Sequence, residues 1–496
     1  MQNYKILQNG SDIRGIALDG YKDEKINFTK NESYNIAISF VNWLSQKVNK
    51  PKNELIITVG NDSRLTGDVI KEGILSGIIE SKAIPYDCKI ASTPSMFMTT
   101  IFDDIKADGA IMITASHLPY NRNGMKFFTN VGGLDKKDIS EILSIEKEFE
   151  FKKHQSENYY PVLDKYSDYL CNIIKKEVNS KTNYDYPLMN FKILVDAGNG
   201  AGGFFAEKVL EKLGANTNGS QFLEPDGSFP NHIPNPEDKD AMNSVIQATL
   251  NSKADLGIIF DTDVDRAAIV DKSGNSINRN KLIALMSAIT LREFPKTTIV
   301  TDSVTSVGLS RFIENLGGSH LRFKRGYKNV INKSIELNKE NIHSSLAIET
   351  SGHGAFKENY FLDDGAYIIT KILIEASRLK ENNMTISDLI SDLEEVSYDE
   401  EIRLKIKSKD FLEYGQAVLD EFEKFALNDS DLEIVKPNYE GVRVNFDFDE
   451  GKGWLLLRMS LHDPVMPINI ESNTNEGLDK AKDMLNSFLS KYSELS

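Results

Sequence analysis

The segment Asp-Thr-Asp-Val-Asp-Arg at 261–266 places three carboxylates at alternate positions, those of Asp261, Asp263 and Asp265. Carboxylate oxygens are hard ligands of the kind that Mg²⁺ and Ca²⁺ bind. A solvated acidic loop is the ordinary alternative, but an apolar run leads directly into the segment and Arg266 closes it, which favours a metal site. A calcium EF-hand fits poorly, because Arg266 replaces its glycine and Lys272 its closing glutamate.

Ser116 is a second candidate for chemistry, because its neighbours suit a residue that carries phosphate. His117 follows it directly, and Lys126 comes ten residues later across an Asn-Gly turn. Phosphate on a serine adds about two negative charges and three strong acceptors, so cations and a metal ion would be needed nearby. A loop serine is more often a cap or a turn residue. The surrounding residues are what favour phosphate chemistry here.

Two further segments could bind a hydroxylated or phosphorylated ligand. Glu349, Ser351 and His353 lie within one sharp turn and could contact a small hydroxylated molecule, although a surface pair of Glu349 and His353 is the alternative. In Arg-Met-Ser-Leu-His-Asp-Pro, the Arg458 guanidinium and the Ser460 hydroxyl suit a phosphate oxygen. An ordinary arginine on an edge strand is an equally good interpretation of that second segment.

The chain is acidic, which limits its partners. It has 496 residues, with 58 Lys and Arg against 74 Asp and Glu, so its formal net charge is −16. Such a chain is a poor match for nucleic acid or an anionic membrane. Any phosphate must therefore be bound locally, and the cations near polar loops are Arg14, Arg64, Lys126, Arg266, Arg325, Lys328 and Arg458. Arg14 and Arg64 lie in Gly, Ser and Asp-rich loops, which also expose backbone N–H groups.

Composition predicts a cytoplasmic multidomain protein. Apolar residues make up 40% of the chain and charged residues 27%, as in ordinary globular proteins. No run reaches the roughly 18 apolar residues of a membrane helix, and the N-terminal segment lacks a secretory hydrophobic region. Cys88 and Cys171 are too few and too far apart for a disulfide framework or a zinc site.

The elements that must position these residues follow a repeated pattern. Apolar runs end in polar clusters at 109–117, 256–266 and 344–353, which predicts three strands buried on both faces of parallel sheets. Since ligands bind outside the carboxyl ends of such strands, three related α/β units are expected to face one cleft. A strand at 192–200 precedes a helix at 203–213, whose apolar stripe is formed by Phe205, Val209 and Leu213.

The C-terminal part has a different pattern. Residues 442–449 and 454–461, joined by Glu-Gly-Lys-Gly, predict an antiparallel hairpin. An amphipathic helix is expected at about 478–491, with its apolar side formed by Leu478, Ala481, Leu485 and Phe488. Boundaries near 160, 275 and 395, the last in the acidic stretch 391–401, give four expected domains: 1–160, 161–275, 276–395 and 396–496.

Taken together, the motifs resemble those of the α-D-phosphohexomutase superfamily, most closely its bacterial phosphomannomutase/phosphoglucomutase group. The similar segments are the loops at 10–15 and 59–67, the serine segment at 114–128, the loop at 225–237, and the segments at 261–266, 349–353 and 458–464. They occur in the family's order over nearly the whole chain. The resemblance implies an α/β fold with three similar domains and a smaller C-terminal α+β domain around a central cleft.

The resemblance also implies roles for individual residues. Ser116 would be the phosphoserine, and Mg²⁺ would be bound by Asp261, Asp263, Asp265 and a phosphoserine oxygen, with Arg266 beside it. Glu349, Ser351 and His353 would bind sugar hydroxyls, and Arg458 and Ser460 the substrate's other phosphate. Lys126 would transfer protons, with Arg14 and His117 in support. The implied reaction interconverts hexose 1-phosphate and hexose 6-phosphate of mannose or glucose, primed by a hexose 1,6-bisphosphate, in a monomer or homodimer.

Four departures from the family pattern bear on the substrate. Leu461, His462 and Asp463 replace the usual Gly, Thr and Glu after the phosphate-binding serine. Thr262 replaces a glycine, Leu118 replaces an asparagine, and Tyr327 stands where some relatives place a histidine near the sugar. None removes a metal ligand or the phosphoserine. Activity is therefore expected, with a substrate range that the departures could alter.

Three other functions are compatible with parts of the sequence. The segment at 349–353 does not exclude a phosphoglucosamine mutase, although Thr114 and the length of 496 residues favour mannose and glucose substrates. An aspartyl-phosphate phosphotransferase of the haloacid dehalogenase type would use Asp261 as nucleophile, but it would leave the 114–126 loop without a role. A non-catalytic sugar-phosphate sensor would keep the cleft without turnover, and only the altered loop at 461–463 favours it.

Overall fold

The computed structural model describes residues 3–20, 24–395, 397–460 and 463–496. The α-helices of this part are Lys30–Lys47 (α1), Gly67–Glu80 (α2), Thr93–Met98 (α3), Lys136–Ile142 (α4), Val162–Val178 (α5), Lys239–Ser252 (α6), Asn280–Glu293 (α7), Val307–Asn315 (α8), Tyr327–Lys339 (α9), Gly365–Lys380 (α10), Phe411–Leu427 (α11) and Asn475–Leu489 (α12). No helix in these ranges combines the length and apolar character that a membrane crossing needs.

The strands alternate with these helices over the first three quarters of the chain. They are Gln8–Asn9 (β1), Asp12–Ile16 (β2), Ile56–Asn61 (β3), Ile84–Ile90 (β4), Gly109–Ile113 (β5), Arg122–Thr129 (β6), Gly132–Gly133 (β7), Ile193–Asp196 (β8), Leu256–Phe260 (β9), Ala267–Asp271 (β10), Ser276–Ile277 (β11), Thr298–Thr301 (β12), Ser319–Arg322 (β13), Leu346–Ile348 (β14), Gly354–Phe356 (β15), Leu362–Asp363 (β16), Tyr398–Lys405 (β17), Leu432–Ile434 (β18), Val442–Phe448 (β19), Gly451–Leu457 (β20) and Val465–Ser472 (β21).

The chain forms two compact units. The first consists of Met1–Leu282 with Ser351–Leu389, and the second of Ile283–Thr350 with Ile390–Ser496. The predicted turn at 349–354 therefore begins in the second unit and ends in the first. The three expected domain boundaries remain predictions.

Two sheets organise the first unit. In the first sheet the strand order is β1-β2-β6-β5-β3-β4, and β5 pairs in parallel with β3 but antiparallel with β6. In the second the order is β11-β10-β9-β8, and β9 pairs in parallel with β8 but antiparallel with β10. Every residue of β5 and β9 is buried, as the two continuous apolar runs predict.

The predicted parallel sheets are thus mixed sheets in the first unit. The chain turns back after β5 and after β9 and forms an antiparallel neighbour each time, Arg122–Thr129 and Ala267–Asp271. The expectation of wholly parallel neighbours was wrong, because a buried apolar strand has the same pattern whichever way its neighbours run. The consequence for function is that both candidate segments are connections between adjacent antiparallel strands.

The second unit contains parallel pairs and an antiparallel sheet. Strand β12 pairs in parallel with β13 and with β14. The C-terminal residues form an antiparallel sheet of order β17-β21-β20-β19-β18, whose apolar core is completed by α11 and α12. This is the predicted α+β arrangement. Strand β17 begins at Tyr398, so the acidic stretch at 391–401 runs into the sheet instead of ending before it.

The predicted local elements agree with the structure except in detail. Helix α12 buries Leu478, Ala481, Leu485 and Phe488 as expected. The segment at 203–213 is helical and buries its predicted stripe, but it contains a π-helical turn at Ala206–Leu210 between 3-10 turns. In the hairpin, Phe448 pairs with Gly451, so the connection is Asp449–Glu450 and not the whole Glu-Gly-Lys-Gly segment.

Candidate active site

The loop that carries Ser116 connects β5 to β6 and is anchored by Arg64. The Arg64 guanidinium donates hydrogen bonds to the backbone carbonyls of Ser116 and Leu118 at 2.5 Å each, and to those of Pro119 and Arg122 at 2.8 and 2.9 Å. Ser116 itself has a φ of +49°, in the left-handed region that L-residues seldom adopt. Arg64 therefore stabilises a loop conformation that the loop sequence does not favour by itself.

Replacing Arg64 should destabilise the fold strongly. Its side chain is fully buried and lies 3.5 Å from the buried Asp62 carboxylate. In Arg64→Leu, four carbonyls would lose their donor and Asp62 its cation, and we expect the free energy of unfolding to fall by about 3–5 kcal/mol. Urea denaturation of this variant measures the loss, with Arg403→Leu as control, since the Arg403 side chain is 65% exposed. Equal stability of both variants would contradict the anchoring role.

The carboxylate segment at 261–266 is the turn between β9 and β10. Phe260 pairs with Ala267, so the six residues between them form one tight hairpin connection. Val264 at its centre is buried and has a φ of +67°, which is a genuine outlier for a β-branched residue. Such strain costs about 1–3 kcal/mol and is typical of functional loops. The Gly365 N–H, which donates to the Val264 carbonyl at 3.0 Å, helps to fix this conformation.

The two loops meet at the Ser116 hydroxyl. Its Oγ donates to Asp261 Oδ2 at 3.1 Å and accepts from Arg266 Nη2 at 2.9 Å. Arg266 Nε also donates to Asp261 Oδ2 at 3.0 Å, and Arg266 is 1% exposed. A serine hydroxyl is thus held between a guanidinium and a carboxylate in a buried site. The guanidinium can stabilise negative charge that develops on Oγ.

His117 is bound to the same guanidinium. Its Nδ1 lies 2.6 Å from Arg266 Nη2 and 3.3 Å from Ser116 Oγ. Because a guanidinium only donates, Nδ1 accepts this bond and carries no proton. Burial, with the nearby Arg266 charge, lowers the pKa of His117 to about 3. His117 is therefore a neutral imidazole at physiological pH, and in this structure it orients Arg266.

Lys126 joins the other two carboxylates of the turn. Its Nζ lies 2.9 Å from Asp263 Oδ2 and 2.5 Å from Asp265 Oδ2, and Thr93 Oγ1 donates to Asp263 Oδ2 at 2.5 Å. Burial alone would lower the pKa of Lys126, but the two carboxylates outweigh it and hold the pKa well above its ordinary value. Lys126 is therefore a buried ammonium group.

The donor set of the turn fits a hard divalent cation. One oxygen each of Asp261, Asp263 and Asp265 lies within 4.8 Å of the others. Oδ1 of Asp263 and Oδ1 of Asp265 are buried and accept no hydrogen bond from the residues that the structure describes. Burial and the nearby Asp265 charge raise the pKa of Asp261 well above its ordinary value. The turn thus carries buried acceptor oxygens on closely spaced carboxyl groups, which a cation would satisfy.

Ser351 and His353 lie beside this turn in the first unit. The Ser351 hydroxyl and His353 Nδ1 are 2.8 Å apart, and His353 Nε2 lies 3.7 Å from Asp265 Oδ1 and 3.8 Å from Asp363 Oδ2. Burial lowers the pKa of His353 to about 3, although the Asp265 charge opposes that shift. His353 is thus a neutral imidazole next to the carboxylate cluster.

Asp364, the residue before helix α10, holds together a buried hydrogen-bond network near His353. Both oxygens of the Asp364 carboxylate accept from the Tyr166 hydroxyl at 2.6 Å, and one accepts from Asn359 Nδ2 at 3.0 Å. The backbone N–H of Tyr367 donates to the same carboxylate at 2.9 Å, which makes Asp364 the helix N-cap. The network fixes the chain from β16 into α10, directly after Asp363.

Asp364 should make stability depend on pH. Burial raises its pKa to about 6 from an ordinary 3.8, so the folded protein holds this proton at pH values where the unfolded chain has lost it. This contribution to the free energy of unfolding is present below about pH 4 and is lost as pH rises to about 6. For the full shift the loss is about 3 kcal/mol.

Asp364→Asn removes that titration. Between pH 4 and pH 7 the parent protein should lose about 2 kcal/mol more of its free energy of unfolding than this variant does. Urea titrations at the two pH values measure the difference, with the exposed Asp240→Asn as control. The same decline in all three proteins would show that Asp364 titrates normally.

The second unit brings Glu349 and Arg458 to a separate polar cluster. Glu349 Oε1 accepts from the Gly326 N–H at 2.6 Å. Arg458 Nη1 lies 3.8 Å from Glu440 Oε1, and Glu440 Oε2 accepts from the Arg325 N–H at 3.1 Å. The backbone of residues 325 and 326 thus holds two carboxylates.

The surroundings of Arg458 and Ser460 complete this cluster. Burial lowers the pKa of Arg458, while the nearby Glu440 charge opposes the shift. Ser460 donates its N–H to the Val465 carbonyl at 2.9 Å, and its Oγ accepts from the Asp463 N–H at 3.3 Å. Leu461 and His462, two of the three altered residues, lie outside the described residues.

Most of the predicted residues of the first unit come together. Those at one site are Ser116, His117, Lys126, Asp261, Asp263, Asp265, Arg266, Ser351 and His353. Arg14 is next to it, since its guanidinium donates to the Thr114 carbonyl and to Asp12 Oδ2. Glu349, Arg458 and Ser460 belong to the second unit.

Several residues that shape these sites were not predicted from the sequence. They are Thr93, Asp302, Ser303, Asp364, Tyr166 and Glu440. Asp302 accepts from the Thr350 hydroxyl at 2.7 Å and lies 3.8 Å from Arg325. Asp302 and Ser303 come directly after strand β12, in the way that Asp261 comes after β9. That position was the one signal the sequence offered.

Comparison with known proteins identifies the chain's relatives. The three α/β/α domain models of phosphoglucomutase/phosphomannomutase match residues 5–153 (domain I), 164–274 (domain II) and 278–396 (domain III). The chain is 28% identical over 455 residues to a phosphomannomutase/phosphoglucomutase of Pseudomonas syringae, with 90% of each chain covered.

Other relatives carry related names. A phosphoglucomutase of Neisseria gonorrhoeae is 28% identical over 431 residues, with 86% of each chain covered. A probable phosphoglucosamine mutase of Methanosphaera stadtmanae is 28% identical over 442 residues, covering 88% of this chain and 90% of that protein. The crystal structure of a phosphoglucomutase/phosphomannomutase family protein from Burkholderia thailandensis shares the fold, with a TM-score of 0.77, 24% identity and complete coverage of both chains.

Proposed function

Because the chain belongs to the phosphoglucomutase/phosphomannomutase family, we propose that it is a phosphohexomutase that interconverts hexose 1-phosphate and hexose 6-phosphate. The observation that carries the proposal is the Ser116 hydroxyl, held 2.9 Å from Arg266 and 3.1 Å from Asp261 in a buried site. A serine placed between a guanidinium and a carboxylate cluster that binds a divalent cation suits a phosphate carrier, because the guanidinium and the cation both offset the phosphate charge.

In this proposal Ser116 carries the phosphate and the turn at 261–266 holds Mg²⁺. The ligands would be Asp261, Asp263, Asp265 and an oxygen of the phosphoserine. Such an ion neutralises charge on the transferring phosphoryl group. Arg266 remains beside Ser116 Oγ and stabilises the negative charge that develops there when the phosphate leaves.

The phosphate moves twice in one reaction cycle. In the first transfer the bond between Ser116 Oγ and phosphorus breaks, and a bond forms between phosphorus and the oxygen of the free sugar hydroxyl. We assign the proton transfer to Lys126, whose buried ammonium group gives a proton to Ser116 Oγ and, as an amine, takes the proton that the sugar hydroxyl loses. The bisphosphate then turns over and returns its other phosphate to Ser116 by the reverse chemistry. A hexose 1,6-bisphosphate primes the cycle.

The remaining polar residues would bind the sugar phosphate. Glu349, Ser351 and His353 would contact sugar hydroxyls, and the neutral imidazole of His353 can donate or accept a hydrogen bond there. Arg458 and Ser460 would bind the phosphate that is not reacting. Arg14 and His117 would act by positioning the Ser116 loop and Arg266.

Mannose and glucose phosphates are the substrates that we propose, with glucosamine phosphate less favoured. Purified protein with Mg²⁺ and glucose 1,6-bisphosphate should convert glucose 1-phosphate and mannose 1-phosphate to their 6-phosphates faster than it converts glucosamine 1-phosphate. A preference for glucosamine 1-phosphate would replace the substrate assignment. Binding of all three without conversion of any would point to a sensor instead.

The setting of the enzyme is part of the proposal. We place it in the cytoplasm as a monomer or homodimer, with four domains at the boundaries given above and no nucleic acid or membrane partner. Both cysteines, Cys88 and Cys171, are buried free thiols, which is consistent with a reducing compartment.

A further inference from the structure

Glu440 lies among the donors that a phosphate group would use in the second unit. Its Oε2 accepts hydrogen bonds from the Ser303 hydroxyl and from the Arg325 N–H. Its Oε1 lies 3.8 Å from Arg458 Nη1, and the Glu440 and Arg458 side chains are only 10% and 7% exposed. A carboxylate therefore occupies a nearly enclosed set of one hydroxyl, one backbone N–H and one guanidinium.

The backbone holds this carboxylate close to Arg458. Gly441, which follows Glu440, has a φ of +60°, and a Cβ there would lie 2.1 Å from the Leu457 carbonyl oxygen and 2.7 Å from Arg458 Cα. Only glycine allows so close an approach of the two backbones. The turn that carries Glu440 is thus packed against the end of β20, beside Arg458.

Hydroxyl, backbone N–H and guanidinium groups are also the donors that proteins use to bind phosphate oxygens. We propose that Glu440 is a built-in competitor for the phosphate group of the sugar phosphate, and that it sets how tightly that group is bound and how fast it leaves. The inference rests on the proposed function. A mutase whose intermediate must turn over gains nothing from a phosphate site that binds too tightly. When the phosphate leaves, Glu440 accepts the same hydrogen bonds again, which weakens phosphate binding and speeds phosphate release.

Two adjacent backbone N–H groups bind the carboxylate at the phosphate site and the carboxylate assigned to the sugar. The Arg325 N–H donates to Glu440, and the next N–H, of Gly326, donates to Glu349 at 2.6 Å. Displacement of Glu440 by phosphate frees the Arg325 N–H for a phosphate oxygen and leaves the Gly326 bond in place. Glu349, which we assign to the sugar hydroxyls, therefore keeps its position when phosphate displaces Glu440.

The test measures binding without turnover. In Ser116→Ala protein, Glu440→Gln should lower the Kd for glucose 1-phosphate, measured by calorimetry, about five- to tenfold, because a partly buried like charge is removed. With Ser116 intact, both KM and kcat should fall. Glu440→Asp, which keeps the charge, should keep the parent Kd within about twofold. Glu433→Gln, an exposed glutamate in the same unit, is the matched control.

A double variant distinguishes competition between Glu440 and phosphate from a role of Glu440 in holding Arg458 in place. The gain in affinity should disappear when Arg458→Ala is combined with Glu440→Gln, since the competition acts through that guanidinium. Weaker or unchanged binding by Glu440→Gln would overturn the inference and show that Glu440 only holds Arg458 in place. If Ser116→Ala protein bound no hexose phosphate at all, the proposed function would fail instead, whatever Glu440 does.

Discussion

Replacing Ser116 with alanine should lower mutase turnover by at least about 10⁴-fold, because the variant has no oxygen to carry the phosphoryl group. The fold should survive, since Ser116 is a small loop residue whose conformation is imposed by the four bonds from Arg64. Conversion of glucose 1-phosphate to glucose 6-phosphate, in the presence of Mg²⁺ and glucose 1,6-bisphosphate, measures the effect.

The matched control for this variant is Ser144→Ala, at an exposed serine after helix α4. It should keep the parent's turnover and its thermal unfolding midpoint. Turnover by Ser116→Ala within tenfold of the parent would remove Ser116 from the reaction and return Asp261 to consideration as the nucleophile.

Replacing Asp265 with asparagine should abolish metal-dependent activity, with a loss of roughly 10³-fold or more. Asp265 belongs to the carboxylate cluster and its Oδ2 binds Lys126, so the variant weakens the proposed metal site and leaves Asp263 as the remaining carboxylate bound to the ammonium group. The parent should lose activity in excess chelator and regain it with Mg²⁺. The variant should not regain it.

Thermal unfolding provides a readout besides activity. Because a ligand that binds only the folded state stabilises it, Mg²⁺ should raise the unfolding midpoint of the parent and of the exposed control Asp240→Asn. It should leave Asp265→Asn unchanged. A midpoint that rises equally in all three proteins would place the metal elsewhere.

The sequence predicted most of the residues that lie together in the first unit, because they follow buried strands. Ser116 and the carboxylate turn each come after an apolar run, and such a run can be recognised in the sequence without knowing which strands pair with it. What the sequence did not show is how the runs pair. Strands β5 and β9 each have an antiparallel neighbour, and that difference makes both candidate segments connections between adjacent strands.

The residues missed by the sequence analysis act over long separations along the chain. Tyr166 binds Asp364 198 residues away, and Ser303 binds Glu440 137 residues away. Neither partner lies in a motif, and a Tyr-Glu-Gly turn has the pattern of any surface turn. Arg64 was noted as a possible anion-binding cation, but its guanidinium binds backbone carbonyls instead. Only tertiary structure distinguishes those two uses of a buried arginine.

The most direct test of the central proposal is the mass of Ser116 after incubation with glucose 1,6-bisphosphate and Mg²⁺. Intact and peptide mass spectra should show one phosphate on the peptide that contains Ser116, and that phosphate should resist hydroxylamine, as a serine ester does. A phosphate on Asp261 that hydroxylamine removes would contradict the account, because it would move the nucleophile to the carboxylate turn. No phosphate on either residue would exclude a phosphoenzyme mutase and favour the sensor.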